Sequence, residues 1–396
     1  MQNLLRFFLF CSLGLIALVA QRDIGTIDVL SEGKTRAMRV SANVASLNQL
    51  AQEAFRSHGR YRVVSKGFMY DARFELVSPN QVRVVVKRSS GEQVLSQTVT
   101  GENARNALLK AADVVVEQTN GLGLKGFFAS KLAFIGERTG KKEVYTSDLF
   151  YGDVKQITRD NSQALTPRWS PDGSKLIYTS YFRSGFPDIF QIDLQTYQRT
   201  SFVSFKGTNS GARFSPSGQQ VAMVLSGEGN AEIYVGNAQG RQIRRLTRTD
   251  SVEASPCFSP DGRQVVFTSD AAGGPQLYTM SVSGGALRRV PTNISRYCAE
   301  PDWNRLNENK IAFTMRIGRG YQVGVYDFAK RKSEQVSRAP YDAIEPCWLA
   351  DGRHLVYTHR DQRSSRIYIL DTESGRSTAI TPANFGPAVQ ANVWPR

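Results

Sequence analysis

Pro167-Arg-Trp-Ser-Pro-Asp-Gly173 decides the fold, because it returns as Ala212-Arg-Phe-Ser-Pro-Ser-Gly218 and as Pro256-Cys-Phe-Ser-Pro-Asp-Gly262. Reduced forms follow at Pro301-Asp-Trp-Asn304, Pro346-Cys-Trp-Leu-Ala-Asp-Gly352 and Asn392-Val-Trp-Pro395. The aromatic anchors are Trp169, Phe214, Phe258, Trp303, Trp348 and Trp394, spaced 44 to 46 residues apart. Self-similarity at such a period marks a repeat architecture. Within the first unit, Arg168–Ser170 reads as a short strand and Ser170-Pro-Asp-Gly173 as a type I turn, with Ser first, Pro second and Gly fourth. Leu176–Ser180, Ile189–Asp193 and Gln198–Val203 are rich in strand formers. The third unit repeats this with Val265–Ser269, Gln276–Met280 and Ala286–Val290. Four short strands in roughly 45 residues is one blade of a β-propeller.

The ends of the array complement each other. Before the first anchor, Leu132–Gly136, Glu143–Asp148 and Val154–Thr158 supply three strands of a blade without its first. At the other end, Ala391–Trp394 is a first strand with nothing after it. Joining them gives a sixth blade and closes the ring, which removes two open sheet edges. The expected fold class is therefore mainly β: a six-bladed propeller over residues 131–396, preceded by a small α/β domain over 21–121 and a linker over 122–130 around Gly121–Gly126.

The α/β region has its own pattern. Ile24–Leu30 and Met38–Ala42 read as strands. Ser46–His58 is an amphipathic helix with Leu47, Leu50, Ala51, Ala54 and Phe55 on one face. Ser46 with Gln49 suggests a capping box and Gly59 a helix stop. Arg73–Val77, Val82–Lys87 and Glu92–Thr98 form a meander with turns at Pro79-Asn80 and Ser90-Gly91. Asn103–Glu117 is a second helix.

Residues 1–20 differ from the rest. Arg6 is the single charge before an unbroken apolar or small-residue run from Phe7 to Ala20, which matches a secretory signal cleaved near Ala20; an uncleaved anchor is the other reading, although the run is short for a membrane span. Cys11 lies in this run. The remaining Cys257, Cys298 and Cys347 show no Cys-x-x-Cys spacing and read as buried small hydrophobes. Of 3 histidines, His58 ends a helix, while His354 and His359 point to opposite faces of one strand, so no pair shares a ligand or nucleophile from one strand. No Gly-x-Ser-x-Gly elbow is present. No catalytic residue, cofactor or dedicated metal site is read from the chain; the alternative is a secreted propeller enzyme acting on glycans or peptides. The formal charge is +15, which favours acidic partners or an anionic surface. Arg241, Arg244, Arg245, Arg248, Arg288, Arg289 and Lys330–Lys332 lie on or beside outer strands, where charge discourages edge pairing. Such spacing around a rim does not suit nucleic acid.

A signal peptide, a small α/β domain and a six-bladed propeller, in that order, resemble the TolB family of the Tol–Pal envelope system. The repeats of the Trp169-Ser-Pro-Asp-Gly-Ser-Lys-Leu176 type, the stretch from Phe267 through Tyr278, the Gly121–Phe128 approach to the propeller and the final Trp394-Pro395 carry the likeness. The α/β region is shorter than the family's. The resemblance implies a monomeric, periplasmic, non-enzymatic adaptor supporting outer-membrane integrity and cell division. It implies that a Pal-like lipoprotein is bound by loops before the first strands, those of Thr208, Asn209 and Gly211 and of Glu253, Ala254 and Ser255; Glu300 and Glu345, each before a proline, are further candidates from their place in the repeat. It implies that a TolA-like protein is bound by the extended mature N-terminus, Arg22, Asp23, Ile24, Gly25, Thr26 and Ile27, by addition to a partner sheet edge. Those six residues read equally as an edge strand of their own domain, and the loop residues as ordinary exposed loops.

Overall fold

The computed structural model describes residues 35–395. The leader, the Ile24–Leu30 strand and the Arg22–Ile27 segment lie outside the described residues.

The N-terminal domain places two helices on a five-stranded sheet. Its strands are β1 (Arg36–Ala42), β2 (Tyr61–Val63), β3 (Tyr70–Ser78), β4 (Gln81–Arg88) and β5 (Gln93–Thr100), and its helices are α1 (Ala45–Ser57) and α2 (Ala104–Thr119). The sheet order is β2-β1-β3-β4-β5. β1 is parallel to β2 and β3, while β3, β4 and β5 form an antiparallel meander. Period-2 alternation is plain in β4, where Val82, Val84 and Val86 are buried between half-buried or exposed neighbours. Leu47, Leu50, Ala51, Ala54 and Phe55 form the buried face of α1.

Two local expectations need correction. α1 begins one residue early, with Val44 as its N-cap and no side-chain cap, so Ser46 lies inside the first turn and no Ser46–Gln49 capping box forms. Gly59 does not end the helix through a left-handed conformation, since it is absent from the positive-φ glycines. It is required by proximity: a Cβ there would meet Asp371 Oδ2 at 1.8 Å. By contrast, α2 is capped as its sequence suggests, the Asn103 side chain accepting from the Asn106 N–H.

Six four-stranded antiparallel sheets follow. In the first blade the strands are Ala164–Trp169, Lys175–Ser180, Asp188–Asp193 and Arg199–Val203. In the sixth, the C-terminal strand Ala388–Trp394 pairs with Lys131–Gly136, which continues to Glu143–Asp148 and Lys155–Gln156. The ring is closed by the two ends of the array. Second and third strands are buried on both faces, as in Leu176–Ser180 and Glu232–Gly236, because each blade packs against two neighbours. Outer strands shrink to two residues in three blades, Arg244–Arg245 and Arg288–Arg289 among them, which leaves little edge to pair with another chain. Cys257, Cys298 and Cys347 are buried and unbridged.

Asp113 fixes the connection between the parts. From the buried side of α2 its carboxylate accepts the backbone N–H groups of Phe127, Phe128 and Ala129 at 2.8, 2.7 and 2.9 Å. Burial pushes its pKa up to about 7 against the pull of those three donors. Phe127 and Phe128 are thereby held in the core, where Phe128 packs 4.8 Å from the Phe55 ring.

Candidate functional site

The first strands line a central channel. Its upper part is walled by Thr166, Arg168, Gly211, Arg213, Ser255, Glu300, Asp302, Glu345 and Gln390. Thr166, Gly211, Ser255, Glu300, Glu345 and Gln390 occupy the same place in successive blades, and all six have φ between 47° and 62°. At each place the pairing of first and second strands shifts register, so a β-bulge kinks every inner strand. A left-handed conformation is uncommon for Thr, Glu and Gln and costs on the order of 1 kcal/mol each. Surrounding hydrogen bonds must hold it.

Those bonds run from blade to blade. Glu300 Oε2 accepts the Glu345 N–H at 3.0 Å, Glu345 Oε2 accepts the Gln390 N–H at 3.0 Å, and Gln390 Oε1 accepts the Thr166 N–H at 2.8 Å across the closure. Thr314 and Thr358 donate their hydroxyls to the two carboxylates at 2.6 and 2.7 Å. A second tier lies two residues further down. Cys257 Sγ accepts the Trp303 N–H at 3.2 Å, Asp302 Oδ2 accepts the Trp348 N–H at 2.7 Å, and Asn392 Oδ1 accepts the Trp169 N–H at 2.9 Å. Burial, with the neighbouring Glu345 charge, raises the Glu300 pKa. Burial works against the Arg213 charge, but the adjacent, ion-paired Asp302 raises its pKa on balance.

The residues singled out in the sequence therefore fall into distinct roles. Only Thr208 among them precedes its strand; Asn209 opens the strand Asn209–Phe214 and Glu253 opens Glu253–Phe258. The loop reading is corrected for a physical reason: a kinked residue before proline mimics a strand entrance. Asn209 is fully buried, and its amide closes the preceding turn by donating to Phe205 O at 2.8 Å and accepting from the Phe205 N–H at 3.1 Å. Glu253 is also fully buried and accepts from Thr249 and Ser269 at 2.9 and 2.8 Å; burial, then Glu232, raises its pKa. Gly211, Ser255, Glu300 and Glu345 line the channel, and Ala254 is half-buried beside them.

The end of the propeller at which the first strands begin is open. There the loops between blades meet the loops between second and third strands, tied by Tyr181 N–H to Gln163 O, Ser226 N–H to Thr208 O and Arg316 N–H to Tyr297 O. These loops and the adjoining strand end expose Phe182, Phe186, Phe205, Val252, Ile317 and Tyr341, with Phe186 68% accessible. Exposed Arg138, Arg183, Lys206, Arg248, Arg296 and Arg319 stand among them. Sequence reasoning missed this apolar and cationic rim, because a phenylalanine in a loop gives no sign of exposure until the loop's neighbours are known. Apolar groups clustered on one exposed face mark an interaction surface.

At the opposite end the N-terminal domain packs against the fifth and sixth blades. Gly59 donates its N–H to His354 Nε2 at 3.2 Å, and the His58 and His354 rings stand 4.5 Å apart. His354 Nδ1 is 2.5 Å from Asp351 Oδ2, and Arg353 grips Asp371 through two hydrogen bonds of 2.8 and 2.7 Å. Arg105 of α2 pairs with Asp148. His58, Asp351 and His354 bring potential metal-ligating atoms within 4.8 Å of one another, a meeting of two domains that spacing within one strand could not reveal. His354 has its two ring nitrogens committed to Asp351 and Gly59, and His58 Nδ1 accepts the Arg60 N–H at 3.2 Å, so these groups act as a seam. Burial, then the His354 charge, holds the His58 pKa well below its ordinary value.

Among the described residues, no helix is long and apolar enough to cross a membrane. Comparison with known proteins places the channel in context. The family described as the TolB β-propeller domain matches residues 120–395. The Tol-Pal system protein TolB of Desulfosudis oleivorans is 40% identical over 135 residues, 34% of this chain and 30% of that protein. A TolB homolog of Chlorobaculum tepidum is 34% identical over 163 residues, 40% of this chain and 36% of that protein. The chain thus aligns with about a third of the length of these relatives. The crystal structure of TolB from Acinetobacter baumannii superimposes with a TM-score of 0.80 at 22% identity, covering 91% of this chain and 97% of that one, a likeness of fold that includes the N-terminal domain.

Proposed function

Because this chain belongs to the TolB β-propeller family, we propose that it is a non-enzymatic periplasmic adaptor of the Tol–Pal system. It docks a Pal-like lipoprotein on the open end of the propeller and a TolA-like protein through the Arg22–Ile27 segment, and so supports outer-membrane integrity and cell division. The observation that carries this reading is the contrast of ends: the N-terminal domain packs against the fifth and sixth blades at one, and the other exposes aromatic side chains around the channel mouth. Large rigid side chains of this kind anchor protein interfaces, and the cationic residues between them steer an acidic partner.

Within this reading the earlier contact set shifts. Thr208, Gly211, Ala254 and Ser255 remain at the mouth, whereas Asn209 and Glu253 shape it from inside. Glu300 and Glu345 hold blades together, and a partner would meet them only by reaching into the channel. Phe182, Phe186 and Phe205 join the set.

Titration calorimetry of the mature chain against the periplasmic domain of a Pal-like lipoprotein tests the proposal. Phe186→Ser and Phe205→Ser together weaken binding by about tenfold or more, as loss of interface anchors does. Undiminished binding by that double variant, or none by the native chain, overturns it. Deleting residues 21–27 removes TolA-like capture while leaving Pal-like capture intact.

A further inference from the structure

The channel is polarised along its length. Its upper part carries Glu300, Glu345 and Asp302. Below lies a chamber of about 260 Å³ walled by Arg168, Arg213 and Arg305, by Trp169, Phe214, Phe258 and Trp303, and by Pro171, Pro216 and Pro260 of the turns. Carboxylates are missing from this lower wall among the described residues. Three guanidinium groups therefore face a small space between aromatic rings with no fixed counter-charge on its surface.

Two of the three have charge to spare. Arg213 is committed to Asp302 above it. Among the described residues Arg168 makes one hydrogen bond, from Nη1 to the neighbouring Pro167 O at 3.2 Å, leaving the rest of a five-donor fork unused. Burial, then the Arg213 charge, lowers its pKa, against the opposing pull of Asp302 and Glu345. Arg305 is exposed at the mouth and has no ion-pair partner among the described residues. A second observation is independent of charge. The indole N–H of Trp169, a residue only 6% accessible, has no acceptor. The corresponding indoles of Trp303, Trp348 and Trp394 each donate to a backbone carbonyl, at 2.7, 3.0 and 3.0 Å. A buried donor left unpaired is costly, and native structures rarely leave one without reason. The chamber supplies donors and π-faces and wants an acceptor.

We propose that this lower chamber is a binding site for a small organic anion bearing a carboxylate or phosphate group. Arg168 holds the anionic group with its free fork, the geometry that suits both groups bidentately. Arg305 attracts it from the mouth, and the rings of Trp169, Phe214, Phe258 and Trp303 enclose its apolar body. The volume limits the ligand to amino-acid or single-ring size, at the small end of ligand cavities. The site is separate from the docking face, at the other end of the channel, so it stands or falls independently of the proposed adaptor role.

The test is NMR titration of the full chain at low salt, following the four tryptophan indole N–H signals, with the Trp169 signal assigned through Trp169→Phe. Sodium benzoate and inorganic phosphate are the two probes, and the one that binds distinguishes a carboxylate ligand from a phosphate ligand. Saturable movement of the Trp169 signal is expected with at least one probe, weakened about tenfold or more in Arg168→Gln and severalfold in Arg305→Gln. Added sodium chloride should weaken it further by screening. Arg305 is exposed, so its variant remains folded and decides the matter if Arg168→Gln does not fold. No movement with either probe at about 20 mM, or equal affinity in the Arg305→Gln chain and the native chain, overturns the proposal.

Discussion

The two ends of the propeller differ in what their side chains are for. At the domain-bearing end, His58, Gly59, Asp351, Arg353, His354 and Asp371 interlock, and each of their side chains is at most 5% exposed among those that bear one. At the open end, Phe182, Phe186 and Phe205 are 46%, 68% and 56% accessible. The first group is committed to joining two domains, where a misplaced polar atom cannot turn to water. The second leaves apolar surface in solvent, although Phe182 also lies under the Arg199 guanidinium at 4.1 Å. Side chains are locked together at one end and left in solvent at the other.

Replacing Asp113 should break the domain-bearing end most severely. Asp113→Ala leaves three buried backbone donors without an acceptor, each worth about 1–3 kcal/mol, so a loss of roughly 4 kcal/mol is expected by urea unfolding. Proteolysis should then begin in the Gly121–Ala129 connection. Gly59→Ala comes next. The new methyl collides with an Asp371 carboxylate that Arg353 holds in place, for roughly 2 kcal/mol of overpacking strain. Calorimetry should show the domain and the propeller melting separately.

Acid probes the same seam more gently. The unfolded chain takes up a proton on His58 near the ordinary value of 6.5, while the folded chain resists it. The contribution of His58 is thus full above that pH and is lost as pH falls below it, by at most about 1.4 kcal/mol per pH unit. Asp113 acts in the opposite sense. Its folded value of about 7 lies above the ordinary 3.8, so the folded chain keeps a proton there and gains stability as pH falls through that window. Between pH 7.5 and 5.5 the native chain should lose more stability than a His58→Gln chain, and equal losses in the two would show that the seam does not sense acid through this ring.

The smallest effect sharpens the contrast from the other side. Phe186→Ser should change the urea midpoint by an amount worth less than about 0.5 kcal/mol, as exposed positions do. A large loss would mean that this face is packed in solution and is not available to a partner.

Much of the scaffold was legible in the sequence. Six anchors at constant spacing and complementary ends gave the blade number and the closure, which the pairing of Val393 with Leu132 confirms. The site was only partly legible. Glu300 and Glu345 were singled out, but as loop residues, and their bonds to the next blade's backbone were not foreseen, since they cross 45 residues of chain. Asn209 and Glu253 were read as surface because polar residues beside a turn are usually solvated. The shared φ of Thr166, Gly211, Ser255, Glu300, Glu345 and Gln390 leaves no common residue type, for the conformation is imposed by the ring and not by local preference.

Sequence alone determined the repeating unit, because each blade is built from local hairpins whose alternation and turn residues are written in order along the chain. The tertiary structure decided which end would carry the N-terminal domain, which aromatic side chains would stay in water and which buried donors would go without acceptors. Those outcomes depend on contacts between residues as distant as Gly59 and Asp371 or Trp169 and Asn392. No local preference encodes such pairs, since they exist only once the ring has closed and the N-terminal domain has settled against it.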